Sequence, residues 1–157
     1  MEDIQVVSNT KVAQVTLHAV DDRPGISAEL FGQLGDQGFN VELVSSNIVS
    51  KGKADISFVV AEEELPAIVV LMDSLKKSTN AHSVSHDSKV ALISISGHGL
   101  LQKPGIAGKM FKALSDSGIN IQMISTSLSS ITCMVSDKAI EDAVRCLEKE
   151  FEVKPYR

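Results

Sequence analysis

Tryptophan is absent from this 157-residue chain and tyrosine occurs once. With so little to stack on bases, and a net charge of −5 that repels polyanions, nucleic acid is not an expected partner. No apolar run approaches the roughly 20 residues needed to span a bilayer. The opening Met1-Glu2-Asp3-Ile4-Gln5 carries acids where a secretory signal needs basic and then apolar residues, so no membrane and a cytoplasmic location are expected. Cysteine is also scarce: Cys133 and Cys146 have no CxxC spacing and are read as reduced thiols on an apolar strand and an amphipathic helix.

Catalytic patterns are missing too. The four histidines, His18, His82, His86 and His98, are scattered, and His82-(x3)-His86 falls near a strand rather than on one helical face. Gly97-His98-Gly99 lacks the Lys-Ser/Thr of a phosphate loop. Ser45-Ser46 and Ser125-Thr126-Ser127 have neither a base at an argued position nor a nucleophile elbow. No catalytic residue, metal or cofactor is therefore expected.

What the chain does have is one pattern written twice. Pro24-Gly25-Ile26, Phe31, Leu34, Gly38 and Asn40 return as Pro104-Gly105-Ile106, Phe111, Leu114, Gly118 and Asn120, and nine of 24 aligned positions are identical. A repeat of this length is a small domain rather than a solenoid unit. Two domains follow, at 10–87 and 88–157. Modules this small bury little of their surface alone, so self-association is expected.

Within copy one, Ala13, Val15, Leu17 and Ala19 alternate with polar residues as a half-buried strand. Ile26, Leu30, Phe31 and Leu34 then recur at helical spacing, with Pro24 in the first turn and Gly35 and Gly38 at the end. Phe39, Val41 and Leu43 read as a second strand. Ala54, Ile56, Phe58 and Val60 read as a third, 65–77 as a second helix, and Val84 as a weak fourth strand. Copy two reads alike: strand 90–96, helix 104–117, strands 119–124 and 131–135, helix 137–150, and a short strand 151–154. Offsets of 78 at the first strand, 80 at the helix and 75 at the third strand confine insertions to loops. The expected fold class is α+β: two ferredoxin-like βαββαβ modules, each an antiparallel sheet with helices on one face.

A strand-to-helix loop ending in Pro-Gly presents the first helical N–H groups and the positive end of the helix dipole to a carboxylate. Asn40 and Asn120 each carry a donor and an acceptor for an amino-acid backbone. The plainer alternative is that Pro-Gly only starts the helix and Asn only tolerates the turn after Gly38 and Gly118. The copies differ in charge. Copy one has Asp21, Asp22 and Glu42, whereas copy two has Gln102, Lys103 and Gln122, with no acid from Ser88 to Ser115. A ligand ammonium is expected to prefer copy one.

These residues resemble a known family. Asp22-Arg23-Pro24-Gly25, Gly38-Phe39-Asn40-Val41-Glu42-Leu43-Val44, Ser46-Asn47-Ile48-Val49 and Asp55-Ile56-Ser57-Phe58 are similar to the first ACT domain of aspartate kinase. Gly99 to Leu114 and Gly118-Ile119-Asn120-Ile121-Gln122-Met123-Ile124-Ser125-Thr126-Ser127 resemble the second ACT domain. The resemblance implies a regulatory region that binds lysine, threonine or both, and inhibits aspartate phosphorylation in a partner catalytic domain or subunit. It implies a homodimer in which the first ACT domain of one chain pairs with the second of the other. Carried over by position, the effector site is Asp22, Pro24, Gly25, Ile26, Ala28, Asn40, Val41, Ser46 and Asn47 from copy one, with Asn120, Ile121, Ser125 and Thr126 from copy two. Ser46 stands where relatives commonly have Gln, and Leu128 where they have Glu. The alternatives are a free-standing tandem ACT regulator with another partner and, on the same fold, an acylphosphatase-like enzyme using Arg23 and Asn40. The acids beside Arg23 argue against the last.

Overall fold

In the computed structural model, which describes residues 3–155, the chain forms two units: Lys11–Ser88, and residues 3–10 joined with 89–155. The first module contains strand β2 (Val12–Asp21), helix α1 (Ile26–Asp36), β3 (Leu43–Ser50), β4 (Lys53–Ala61), α2 (Leu65–Thr79) and β5 (Ser83–Asp87). Its antiparallel sheet has the order β3-β4-β2-β5. The second comprises β1 (Gln5–Asn9), β6 (Val90–Ser96), α3 (Ile106–Asp116), β7 (Met123–Thr126), β8 (Ser130–Ser136) and α4 (Ile140–Glu150), in sheet order β1-β6-β8-β7. Both modules have the expected ferredoxin-like arrangement.

Apolar alternation drives each sheet onto its helices. Leu17, Ile56 and Phe58 pack against Leu30, Leu34, Ile68 and Leu75 in the first core, with Phe31 edge-on to Phe58 at 5.6 Å between centroids. Ile93, Ile95, Ile131 and Cys133 meet Met110, Leu114 and Leu147 in the second. The offsets read from the sequence reappear as register: Leu17 pairs with Ile56 and Ile95 with Ile131.

All four helices stop the same way. Gly38, Asn80, Gly118 and Glu152 take positive φ, and the next N–H bonds back five residues, as Phe39 to Leu34, Ala81 to Lys76, Ile119 to Leu114 and Val153 to Glu148. This is the Schellman stop, with an apolar residue after the left-handed one folding back onto the helix.

Several sequence expectations change. The strand predicted over Phe39, Val41 and Leu43 begins only at Leu43, and that predicted over 119–124 only at Met123, because the Schellman turn must unwind first. Ser45, Ser46 and Asn47, expected between strands, therefore lie within β3. Pro24 and Pro104 sit before their helices rather than in the first turn, since Gly25 and Gly105 occupy the cap positions. Ala19 does not continue the inward row. A β-bulge between Leu17 and Val20 turns Val20 to the core, while Ala19 takes φ 55°.

Residues 151–154 form no strand: the Val153 N–H is held by Glu148, and Phe151 is buried in the core. The fourth-strand position beside β6 is filled from the other end of the chain, by β1. β1 takes the same place there that β5 takes beside β2.

Candidate functional site

The β2–α1 loop of the first module is built around an uncapped helix. Gly25 sits at φ 91°, Ile26 donates its N–H to Arg23 O and Glu29 to Gly25 O, and no side chain caps the helix. The N–H groups of Ser27 and Ala28 find no backbone acceptor in the loop, which leaves two donors at the positive end of the helix dipole.

The acids of this loop are not equivalent. The Asp21 carboxylate accepts from Lys53 Nζ at 2.8 Å and from Asn80 Nδ2 at 3.2 Å, and the Lys53 bond holds it below the ordinary 3.8. Arg23 is occupied by Glu29 at 2.8 Å, and the guanidinium is held above its ordinary value by that bond. Asp22 uses its N–H on Gly52 O while its exposed side chain has no partner among the described residues. Of the two adjacent acids, Asp22 is the one available to a ligand ammonium.

The expected site residues separate into groups. Asp22, Pro24, Gly25, Ile26 and Ala28 gather at the start of α1; Ile26 is buried and the others are exposed. Ser46, on β3, faces the helix side because its partner Ile56 is a core residue, whereas Asn47 points to the opposite face and donates to Ser45 Oγ at 3.3 Å. Asn40 and Val41 follow the far end of α1, a helix of eleven residues and hence about 16 Å long. Within one module Asn40 cannot share a small ligand with Gly25, and Glu42 lies at that far end too. The same separation removes the pairing of Arg23 with Asn40 needed by an acylphosphatase-like site.

In the second module Gly105 is at φ 86° and α3 is likewise uncapped. A 3-10 turn, Leu100–Gln102, fills the loop and buries Leu100, and no carboxylate lies there. Asn120 is exposed after the turn at Gly118, while Ile121 packs on the core. Thr126 shares the helix side with Ile131, and Ser125 faces the other way opposite Thr132. Two clefts of about 560 and 550 Å³ between β1 and α4, sharing Ser8, Val144, Glu148 and Pro155, contain none of the expected residues.

Two features escaped the sequence reading. On the open face of the first sheet, Asp55 Oδ1 accepts the Ala19 N–H at 2.8 Å, and His18 lies 3.7 Å from Asp55 Oδ2 and 2.8 Å from Ser85 Oγ. A lone Asp in an alternating strand was the available signal. The other is a matched pair of exposed hydrophobes on the edge strands: Val44 and Ile48 of β3 recur, 80 residues on, as Ile124 and Leu128 on and after β7. Among the described residues no three or more His, Cys, Asp or Glu side chains converge on a metal position. No helix among them is long and apolar enough to cross a membrane.

Residues 13–77 and 93–151 each match the ACT domain, and the chain belongs to that family through two such domains in tandem. More particularly, it corresponds to the regulatory part of aspartate kinases. It is 32% identical over 148 residues to the aspartate kinase of Pseudomonas fluorescens, a match covering 94% of this chain and 36% of the kinase. The chain thus spans about a third of the length of the curated relatives it matches. A crystal structure of aspartokinase alpha and beta subunits contains a chain that superposes with a TM-score of 0.89 at 29% identity, covering 97% of this chain and 99% of that one. The ligand-free regulatory subunit of aspartate kinase from Thermus thermophilus gives 0.87 at 26% identity, covering 93% and 96%.

Proposed function

We propose that this chain senses lysine, threonine or both, and transmits feedback inhibition to an aspartate kinase catalytic domain or subunit. The observation that carries the reading is the β2–α1 loop, which carries Asp22 with no side-chain partner among the described residues and leads into the free N–H groups of Ser27 and Ala28. A carboxylate acceptor and two donors at a helix N-terminus match the ammonium and carboxylate of an amino acid. Ser46 on β3, shorter than the Gln common in relatives, leaves room for the ligand side chain and bears on which amino acid is chosen. Asn120, Ile121, Ser125 and Thr126 belong to the site as contributions from a partner chain, as does Asn40 with Val41 in the reciprocal sense.

Inhibition then follows from differential affinity. An effector held by the first ACT domain of one chain and the second of its partner favours the dimer packing that completes the site. A ligand with equal affinity for both packings would shift nothing. Kinase activity itself belongs to the catalytic part.

Calorimetric titration of the chain with the twenty amino acids, paired with sedimentation velocity, tests the reading. Heat with lysine or threonine, accompanied by tighter dimerisation, is the expected result. Silence across the panel removes the sensor reading, and heat with Asp22→Ala equal to that of the unsubstituted chain removes the assigned site.

A further inference from the structure

The bulge in β2 has an identifiable cause. Leu17 pairs with Ile56 and Val20 with Ala54, so His18 and Ala19 together stand opposite Asp55. Ala19 is held at φ 55°, a region costly for a residue with a Cβ, and its N–H is received by Asp55 Oδ1 at 2.8 Å. The other oxygen of Asp55 lies 3.7 Å from His18 Nδ1, and His18 Nε2 meets Ser85 Oγ at 2.8 Å, so the anchor is fixed from the flanking strand as well.

Everything that leads into the ligand loop follows the bulge. Because two residues answer one, Val20 turns inward, Asp21 reaches Lys53 and Asn80, and the Asp22 N–H reaches Gly52 O. Without the bulge these residues would fall on the opposite faces of the strand, and Asp22 would be presented differently. The second module offers the contrast. β6 and β8 pair from Val90–Ser136 to Ser96–Ser130 with no shift, Ser130 stands at the position of Asp55, and Gly97 stands at that of Ala19. The device exists only in the module whose loop carries the free acid.

We propose that Asp55 is a positioning residue of the amino-acid site: by receiving the Ala19 N–H it sets the bulge that aims the Asp22 loop. This rests on the reading of that loop as an amino-acid site. Four versions of the full chain decide it, titrated with lysine and threonine by calorimetry while amide exchange at Ala19 is followed by NMR. Asp55→Ala should weaken binding about tenfold, the scale of one strained backbone conformation, and should speed exchange at Ala19. Asp55→Asn keeps an oxygen acceptor and should bind close to the parent. Asp55→Ala with Ala19→Gly should recover binding, because glycine takes the positive φ without an anchor.

Unchanged affinity in Asp55→Ala, or equal losses in the Ala and Asn variants, would overturn the positioning role while leaving the site itself intact. A double variant as weak as Asp55→Ala would do the same. Absence of binding in the parent chain would instead sink the site, and with it the positioning of a site.

Discussion

At the scale of single residues, burial and pairing set two groups apart from their solvent-exposed counterparts. Cys133 is fully buried in the second core, and desolvation pushes its thiol up to about 12. At pH 8 that leaves on the order of one thiolate in ten thousand, so Cys133 should resist alkylation in the folded chain. Mass spectrometry after brief iodoacetamide treatment should find label confined to Cys146, with both cysteines modified once urea is added. Rapid native labelling of Cys133 would contradict the core placement. Asp21 shows the opposite effect, its carboxyl held below 3.8 by Lys53 and then by Asn80. A carboxyl whose folded value is depressed stabilises the fold above its ordinary value and loses that contribution as pH falls through the depressed one. Asp21→Asn should therefore be slightly less stable than the parent at neutral pH, and the difference in urea midpoint should close as pH drops below 3.8. A difference that persisted into stronger acid would mean the bond to Lys53 is not its source.

At the scale of elements, the pattern of apolar residues made most of the fold legible. Ala13, Val15 and Leu17 announced β2, the repeat announced the duplicated modules, and the 78 and 75 offsets matched strand residues of one copy to those of the other, a correspondence the two registers share. The misses have physical reasons. Phe39 and Ile119 are apolar because they close Schellman turns, yet at period two they imitate strand positions. Asn40, read as the start of the next strand and as sharing one site with the helix start, instead follows the turn at the far end of α1. Residues 151–154 imitate a fourth strand with Phe151 and Val153, whereas the sheet is completed by Gln5–Asn9, too weakly patterned to be noticed. Strand exchange between distant segments is not a local property, so no window of sequence carries it. It has a measurable consequence. Removing residues 1–10 should strip β6 of one of its two neighbours and lower amide protection in β6 and β8 by the equivalent of several kcal/mol, while β2 and β4 keep theirs. Equal loss in both modules would show that β1 is not the private strand of the second. A core truncation should act locally as well: Phe58→Ala, at a site with no solvent exposure, should cost the first module about 3–5 kcal/mol in chemical denaturation.

At the scale of the whole molecule, the duplication explains both a shared feature and a difference. The shared feature is the edge strand: β3 and β7 each lie at the edge of their sheet, and exposed hydrophobes recur at corresponding positions, Val44 and Ile48 on β3, Ile124 on β7 and Leu128 just after it, with Ile48 76% and Leu128 87% exposed. A flat apolar edge is hazardous unless something covers it, and natural sheets ordinarily blunt such edges with charge. Leu128, the more exposed of the two, adds an uncharged apolar side chain at this edge. The difference is the loop, acid-bearing in the first module and acid-free in the second. A head-to-tail pairing of the two edges in a dimer would cover all four hydrophobes at once and bring unlike loops toward each other. Ile48→Asp and Leu128→Asp should then each weaken the dimer by more than about tenfold, since each puts a charge against an apolar partner surface. Combining Ile48→Asp with Leu128→Lys should restore part of the association by pairing the charges across one seam. Sedimentation velocity over a concentration series, with circular dichroism confirming that each variant is folded, makes the measurement. Folded variants that associate as the parent does would mean that these edges do not meet, and would remove the two-chain site with them.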